Sequence, residues 1–262
     1  MKGVIMAKSD VAKTNAGLPV DLLNDMVADA KTSFGNVTPE DYAIPFLNIL
    51  QQMSPQVNKT EGAYVKGAES GMIYNSVSQT FYSGDEGVRV IPCAYKRMLI
   101  EWKPREEGGG LVAVHDPSSG ILKNAKRDGA RDMLPNGNYL QNTAHHYVLI
   151  LGEIAEQAIM PLSSTQLKKS RRWNSLMVNQ RVDHQGKKYP APPYAFSYLL
   201  TTVPESNEQG SWFGWNVGDP QMITDTDLYQ AAKEFATSVQ SGSVEVQPQE
   251  DPQVVSEDNA II

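Results

Sequence analysis

The sequence predicts a β-rich α+β protein, and three observations carry that expectation. β-Branched and aromatic residues fill the stretch from Gly71 to Val114, broken by a Gly-Asp-Glu-Gly turn signal at 84–87. Two further pairs of strand-like runs follow: NYLQNTAHHYVLILG with EQAIMPLS, and AFSYLLTTV with GSWFGWNV. A helical stretch separates those pairs and another closes the chain. The order of strands, helix, strands and helix is compatible with an OB-type Greek-key barrel elaborated by helices, and with other α+β folds.

Each element has its local reason. Residues 1–36 are rich in Lys, Asp, Ala, Thr and Gly and are expected to be flexible, with a short helix around Pro19–Ala30 carrying Leu22, Leu23 and Met26 on one face. Thr38 is a candidate N-cap with Pro39 at the first helical position, and Pro45 breaks that run before FLNILQQM, a short helix or strand. Val88 to Trp102 reads as one long bent strand, with Pro92 marking a bulge or an edge. The Gly108–Gly110 tract is a loop into LVAVHD, and residues 117–133 are expected to be partly helical. Residues 164–180 form a helix opened by Ser163 or Ser164, in the place where an OB barrel carries one between its third and fourth strands. A hairpin turns around ESNEQG, and TDTDLYQAAKEFATSVQSG is a helix capped by Thr224 or Thr226 and ended by Gly242. The expected organisation is a flexible segment at 1–36, one β-rich domain at 37–242 and a disordered acidic tail at 243–262.

Charge is distributed unevenly over the 262 residues, whose net value is −7. Between Ser163 and Lys188 lie seven Lys or Arg (168, 169, 171, 172, 181, 187, 188) against one acid, Asp183. From Ser238 to Ile262 there are five acids and no Lys or Arg. A basic body segment and an acidic tail suggest two different jobs. The single cysteine, Cys93, excludes an internal disulfide and is compatible with a reducing cytoplasm. No run reaches membrane-span length, and the N-terminus lacks a signal-peptide core, so a cytoplasmic location is expected.

Catalytic signals are poor. There is no G-x-x-x-x-G-K-S/T loop, no H-E-x-x-H and no G-x-S-x-G elbow. His145 and His146 are adjacent in a strand, so they point to opposite faces and cannot jointly hold a metal. His115 and His184 have no partners at ligand spacing. No metal and no cofactor is expected, and Cys93 reads as a buried apolar residue. One enzyme-like pattern remains: Glu101-Trp102-Lys103 with Asp85 upstream mimics the acid…E-x-K arrangement of metal-dependent nucleases. Its bland counterpart is a half-exposed strand with a cross-strand ion pair.

A nucleic-acid reading draws on the coincidence of cations with aromatics. Lys168, Lys169, Arg171 and Arg172 fall within about one helical turn and are candidates to meet phosphates. AYKRMLIEWKPR at 94–105 adds a second basic strip of Lys96, Arg97, Lys103 and Arg105, and GKKYPAPPYAF at 186–196 repeats the pairing. Tyr95, Trp102, Trp173 and Tyr194 are the candidate base-stacking residues. Helical spacing puts Leu167, Ser170, Trp173 and Met177 on one face and Lys168, Arg171 and Arg172 on another, so Trp173 reads as an anchor of the helix before a stacking platform.

The runs DYAIPFLNILQQMSPQV, GMIYNSVSQTFYSGDEGVRVIPC, IEWKPREEGGG and STQLKKSRRWNSLM resemble single-stranded DNA-binding proteins of tailed bacteriophages, over roughly Asp41 to Phe235. The resemblance implies an OB-type barrel and a non-enzymatic, sequence-nonspecific single-stranded DNA-binding protein of phage replication and recombination. It also implies a tail that recruits replication or recombination proteins, here through Glu257, Asp258, Ile261 and Ile262, although SEDNAII lacks the Pro-Phe end of bacterial members. A homo-oligomer is compatible with that role. The alternatives are a virion structural or assembly protein and a metal-dependent nuclease.

Overall fold

A computed structural model describes residues 18–30, 43–129, 131–208 and 210–244. The architecture is α+β and β-rich, with mostly antiparallel sheets and few helices. The expectations for Thr38, the first residues and the acidic tail, including Glu257, Asp258, Ile261 and Ile262, lie outside the described residues.

In chain order, α1 (Val20–Ala30) precedes a small sheet of β1 (Leu47–Ile49), β2 (Ile73–Asn75) and β3 (Phe81–Tyr82). The large sheet begins with β4 (Val88–Trp102) and β5 (Leu111–His115). Next come β6 (Lys126–Asp128), β7 (Arg131–Met133), β8 (Tyr139–Ile150) and β9 (Glu156–Ser163). Helix α2 (Leu167–Val178) leads into β10 (Arg181–His184) and β11 (Lys187–Pro190). The chain then makes β12 (Phe196–Asn207), β13 (Gly210–Met222) and α3 (Thr226–Gln240).

β4 is the organising strand. Its register against β8 runs from Val90↔Ile150 to Trp102↔Tyr139 and slips between Pro92 and Ala94. The slip is the bulge expected at Pro92, which has no N–H to give to a ladder. β8 turns back into β9, and β12 returns to pair with the first residues of β4, Leu200↔Val88 and Tyr198↔Val90. β13 pairs along β12. Where β12 meets the start of β4 the chain turns through Gly87 (φ 75°), whose missing Cβ would stand 2.1 Å from the Leu200 carbonyl oxygen.

The outer edge of β13 is satisfied by side chains. The Gln51 amide accepts from Phe213 N–H (2.8 Å) and donates to Phe213 O (2.9 Å), reproducing a strand partner with one side chain. Gln166 Oε1 accepts from Trp215 N–H (3.0 Å), two residues along the same edge. β9 is met by the chain entering β1, through a parallel bridge of Phe46 to Ile159 and an Ile159 N–H bond to Pro45 O (2.8 Å).

Both faces of the β4–β8–β9 meander are covered, which explains why β8 is buried almost throughout instead of alternating. One face gathers Val90, Ala144, Val148, Met160, Leu162, Tyr198, Leu200 and Trp215, with Trp173 and Met177 of α2 inserted among them. The opposite face packs Ile91, Cys93, Tyr147, Leu149 and Ile159 against Ala232, Phe235, Ala236 and Val239 of α3. Burial pushes the Cys93 thiol up to about 12, as suits a buried apolar residue. The far half of β4 extends beyond this core as an arm, flanked by β5 on one edge and by β8, β7 and β6 on the other. Ile100, Trp102 and Tyr139 form its own small core.

Three local expectations change. Residues 117–133 form two single 3₁₀ turns (Pro117–Ser119 and Ile121–Asn124) and the β6–β7 hairpin, because Gly120 and Gly129 take left-handed φ and interrupt any longer helix. Helix α2 starts through a 3₁₀ turn at Ser164–Gln166 whose N-cap residue, Ser163, makes no side-chain capping hydrogen bond. The cap of α3 is Asp225, accepting from Leu228 N–H (3.0 Å), in place of either flanking threonine.

Candidate nucleic-acid interface

Helix α2 holds its cations by burying its other face. Ser170, Trp173 and Met177 are buried, while Lys168, Arg171 and Arg172 are exposed. The Trp173 ring stacks on His146 of β8 (centroids 4.5 Å apart, 19° between planes) and meets Tyr198 edge-on at 5.9 Å. Ser170 Oγ lies 2.8 Å from His146 Nε2, a second link between helix and strand. Burial, with a smaller contribution from His145, pushes the His146 imidazole down to about 3, so it stays neutral under the tryptophan.

Among the described residues no carboxylate lies within ion-pair distance of Lys168, Arg171 or Arg172. Lys169 differs. Its Nζ sits 2.7 Å from Glu205 Oε1, and the other Glu205 oxygen accepts from Trp212 Nε1 (3.1 Å) and Gln166 Nε2 (3.3 Å). Burial alone would raise the Glu205 carboxyl, but these donors outweigh it and hold it below the ordinary carboxylate range. Lys169 therefore fastens α2 to the β12–β13 hairpin, and its charge is already neutralised.

The strand strip behaves otherwise. Tyr95 is 42 % exposed and leans edge-on against His146 (centroids 5.1 Å), which places it beside the foot of α2. Arg97 is two residues along, so it shares that face, and its Nε donates to Asn142 Oδ1 (3.0 Å). Lys96 points to the opposite face, with Nζ 5.8 Å from the centre of the Tyr147 ring on the α3 side. Lys103 and Arg105 are exposed beyond the end of β4, in the loop and 3₁₀ turn before the glycine tract. The second basic strip is thus not one surface, because a strand sends successive residues to alternate faces.

Two of the expected stacking residues are corrected by burial. Trp173 is completely enclosed, so no base can reach its ring. Trp102 is 3 % exposed, and its Nε1 donates to Gln141 Oε1 (2.8 Å) inside the arm core. Tyr194 is half-buried and edge-on to Tyr229 of α3 (5.3 Å), part of that packing layer instead of an open platform. Tyr95 remains as the expected aromatic with an open surface.

The nuclease-like acids do not meet. Asp85 lies in the turn before β4 and Glu101 near its other end, with roughly 40 Å of strand from Val88 to Glu101 between them. Glu101 is buried and accepts from Asn136 Nδ2 (3.0 Å) and Asn138 Nδ2 (2.5 Å), with His115 Nε2 2.8 Å from its other oxygen. Burial would raise its carboxyl, but these partners prevail and lower it. The cluster ties β4 and β5 to the 134–138 turn. Among the described residues no group of three His, Cys, Asp or Glu is placed to hold a metal ion.

One element has only a weak signal in the sequence. β10 and β11 form an exposed two-stranded ribbon directly after α2, with Gln185 (φ 54°) and Gly186 (φ 76°) at its tip. Both tip residues have positive φ, as a type I′ turn requires. The signal was the X-Gly dipeptide between Val182-x-His184 and Lys187-x-Tyr189. It brings Arg181, Lys187, Lys188 and the 46 % exposed Tyr189 to the surface next to α2.

Residues 12–245 match the family described as Pam3 phage gp34-like protein, and the chain belongs to that phage family. No curated protein and no solved structure matches the chain. Among the described residues no helix is long and apolar enough to cross a membrane.

Proposed function

For this member of a phage protein family, we propose sequence-nonspecific binding of single-stranded DNA in phage replication or recombination, in the cytoplasm of the host. The observation that carries the reading is α2. A helix whose aromatic is locked against His146 presents Lys168, Arg171 and Arg172 outward with no carboxylate partner among the described residues. Fixed unpaired cations contribute most where they meet phosphates, by releasing the counterions condensed on the strand. Tyr95, beside the same helix, and Arg97, on the same face of β4, add an exposed ring and a further cation.

An OB-type identity for the core is part of the proposal. Its support is connectivity: β4, β8 and β9 form a three-strand meander, α2 follows the third strand, and the β12–β13 hairpin returns to β4. The acidic tail, with Glu257, Asp258, Ile261 and Ile262, is assigned to partner proteins of replication or recombination on the strength of its charge alone.

The test is binding of a labelled oligo-dT at two salt concentrations, with duplex DNA as competitor. The expected result is binding at low salt that weakens steeply as salt rises and survives the duplex. No binding at low salt would sink the proposal, and a large salt-insensitive assembly without DNA affinity would favour a virion component.

A further inference from the structure

We infer that the β10–β11 ribbon is a second contact element of the same site, with Tyr189 stacking on a base and Lys187 meeting a phosphate. The inference rests on the single-strand reading above and assigns that site its aromatic platform.

The ribbon is rooted in the helix that carries the cations. Arg181 Nη1 donates to Val178 O (2.6 Å) and Gln180 O (2.8 Å), capping the free carbonyls at the end of α2. Ala191 N–H donates to Gln180 O (3.1 Å) and closes the base of the ribbon at the same point. Val182 packs against the edge of the core and anchors one strand. Only residues 179 and 180 separate the cation-bearing helix from the ribbon.

Register sorts the ribbon into two unlike faces. Asp183 lies across from Lys188, and its Oδ1 also accepts from Gly186 N–H (3.0 Å), so that face carries an acid beside its cation. The other face pairs Val182 with Tyr189 and His184 with Lys187, an aromatic and a lysine with no acid between them. Tyr189 is left 46 % exposed on a ribbon whose other residues are nearly all exposed, so its ring contributes little to folding. A half-exposed ring with Lys187 on the same face fits an unstacked base on an anionic backbone, since base–aromatic stacking tolerates any sequence. A two-stranded ribbon also has the width to enter a duplex major groove, which makes duplex DNA the competing occupant to be measured.

The experiment uses the full chain and an oligo-dT carrying one 5-iodouracil, cross-linked by light and mapped by mass spectrometry. The expected cross-link falls on Tyr189. Tyr189→Ala is expected to weaken binding about five-fold or more, while Tyr189→Phe retains it. Lys187→Ala should flatten the slope of log affinity against log salt by about 0.7, one lost phosphate contact, whereas Lys188→Ala, on the face shared with Asp183, should leave it unchanged. Wild-type affinity in Tyr189→Ala, alongside lost binding in Arg171→Glu/Arg172→Glu, would overturn the ribbon assignment and leave α2 standing. Equal protection of the cross-link by duplex would overturn it in favour of groove binding. Failure of the unmodified chain to bind at low salt would remove both readings.

Discussion

Two basic stretches of similar composition have different fates in this molecule. In α2, Lys168, Arg171 and Arg172 emerge together on one side, because a helix returns to the same face every three to four residues. In β4, Lys96 and Arg97 part company, one toward Tyr147 and the α3 side, the other toward Asn142. Equal charge density in sequence becomes a concentrated field on a helix and a divided one on a strand. The helix also has a buried anchor, Trp173, that holds its cations at a set distance from the core.

The largest test of this contrast removes the anchor. Trp173→Ala should cost about 3–5 kcal/mol, seen as a lower urea midpoint, because a fully buried ring is replaced by a cavity. Oligo-dT binding should fall with it, although no cation has been touched. A variant of unchanged stability would show that α2 is held by something other than Trp173 on His146.

Acid should loosen the same anchor. His145 is pushed down to about 4 by burial and by Lys96, and His146 to about 3. An unfolded histidine titrates near 6.5, so between about pH 6.5 and 3 the unfolded chain binds more protons than the folded one. Stability is therefore complete above pH 6.5 and is lost as pH falls through that window. Glu101, held below its ordinary value, adds its own loss only below about pH 4.5. Denaturant midpoints measured from pH 7.5 to 4 should fall in the wild type and fall less in His146→Gln. Parallel curves for the two proteins would contradict the buried neutral imidazole.

A smaller effect separates the two faces of β4. Arg97→Ala should reduce the salt slope of oligo-dT binding by about 0.7, whereas Lys96→Ala should leave it unchanged. Equal slopes for both variants would mean that the face of β4 does not decide access to the strand. The smallest effect on binding is expected at Lys169, whose charge is already committed to Glu205. Lys169→Ala should cost about 1–3 kcal/mol in urea unfolding, because it leaves the largely buried Glu205 carboxylate without its cation, and should weaken DNA binding less than Arg172→Ala does. A loss of binding larger than that of Arg172→Ala would show that the ion pair opens to receive the strand.

Much of the fold could be read from the chain. The long strand 88–102, its irregularity at Pro92, the 139–163 strand pair, the ESNEQG hairpin and the two later helices all emerge where periodicity and turn residues put them. Local signals mislead where they meet a stronger competitor. Residues 117–133 carried helix-forming residues, but two glycines in left-handed conformation divided them. The ribbon is hard to read because its tip is Gln-Gly, a weaker hairpin signal than Asn-Gly or Asp-Gly.

The candidate site was readable by half, and the half that was not is long-range. Helical spacing alone separates Trp173 from Arg171 and Arg172, since those positions are neighbours in the chain and their directions follow from 3.6 residues per turn. No such rule tells which side of a strand will be covered. Lys96 faces Tyr147 beside Phe235, from a helix more than 130 residues further on, and Tyr95 stands next to α2 only because β8 carries His146 between them. Sequence by itself determined the elements, the two faces of α2 and the opposition of basic body to acidic tail, because each depends on near neighbours. Only the tertiary structure decided that Trp102 and Trp173 are enclosed, that the strand cations divide, and that Tyr95 and Tyr189 keep open rings. Burial belongs to whichever segments pack from afar, and no local pattern carries that information.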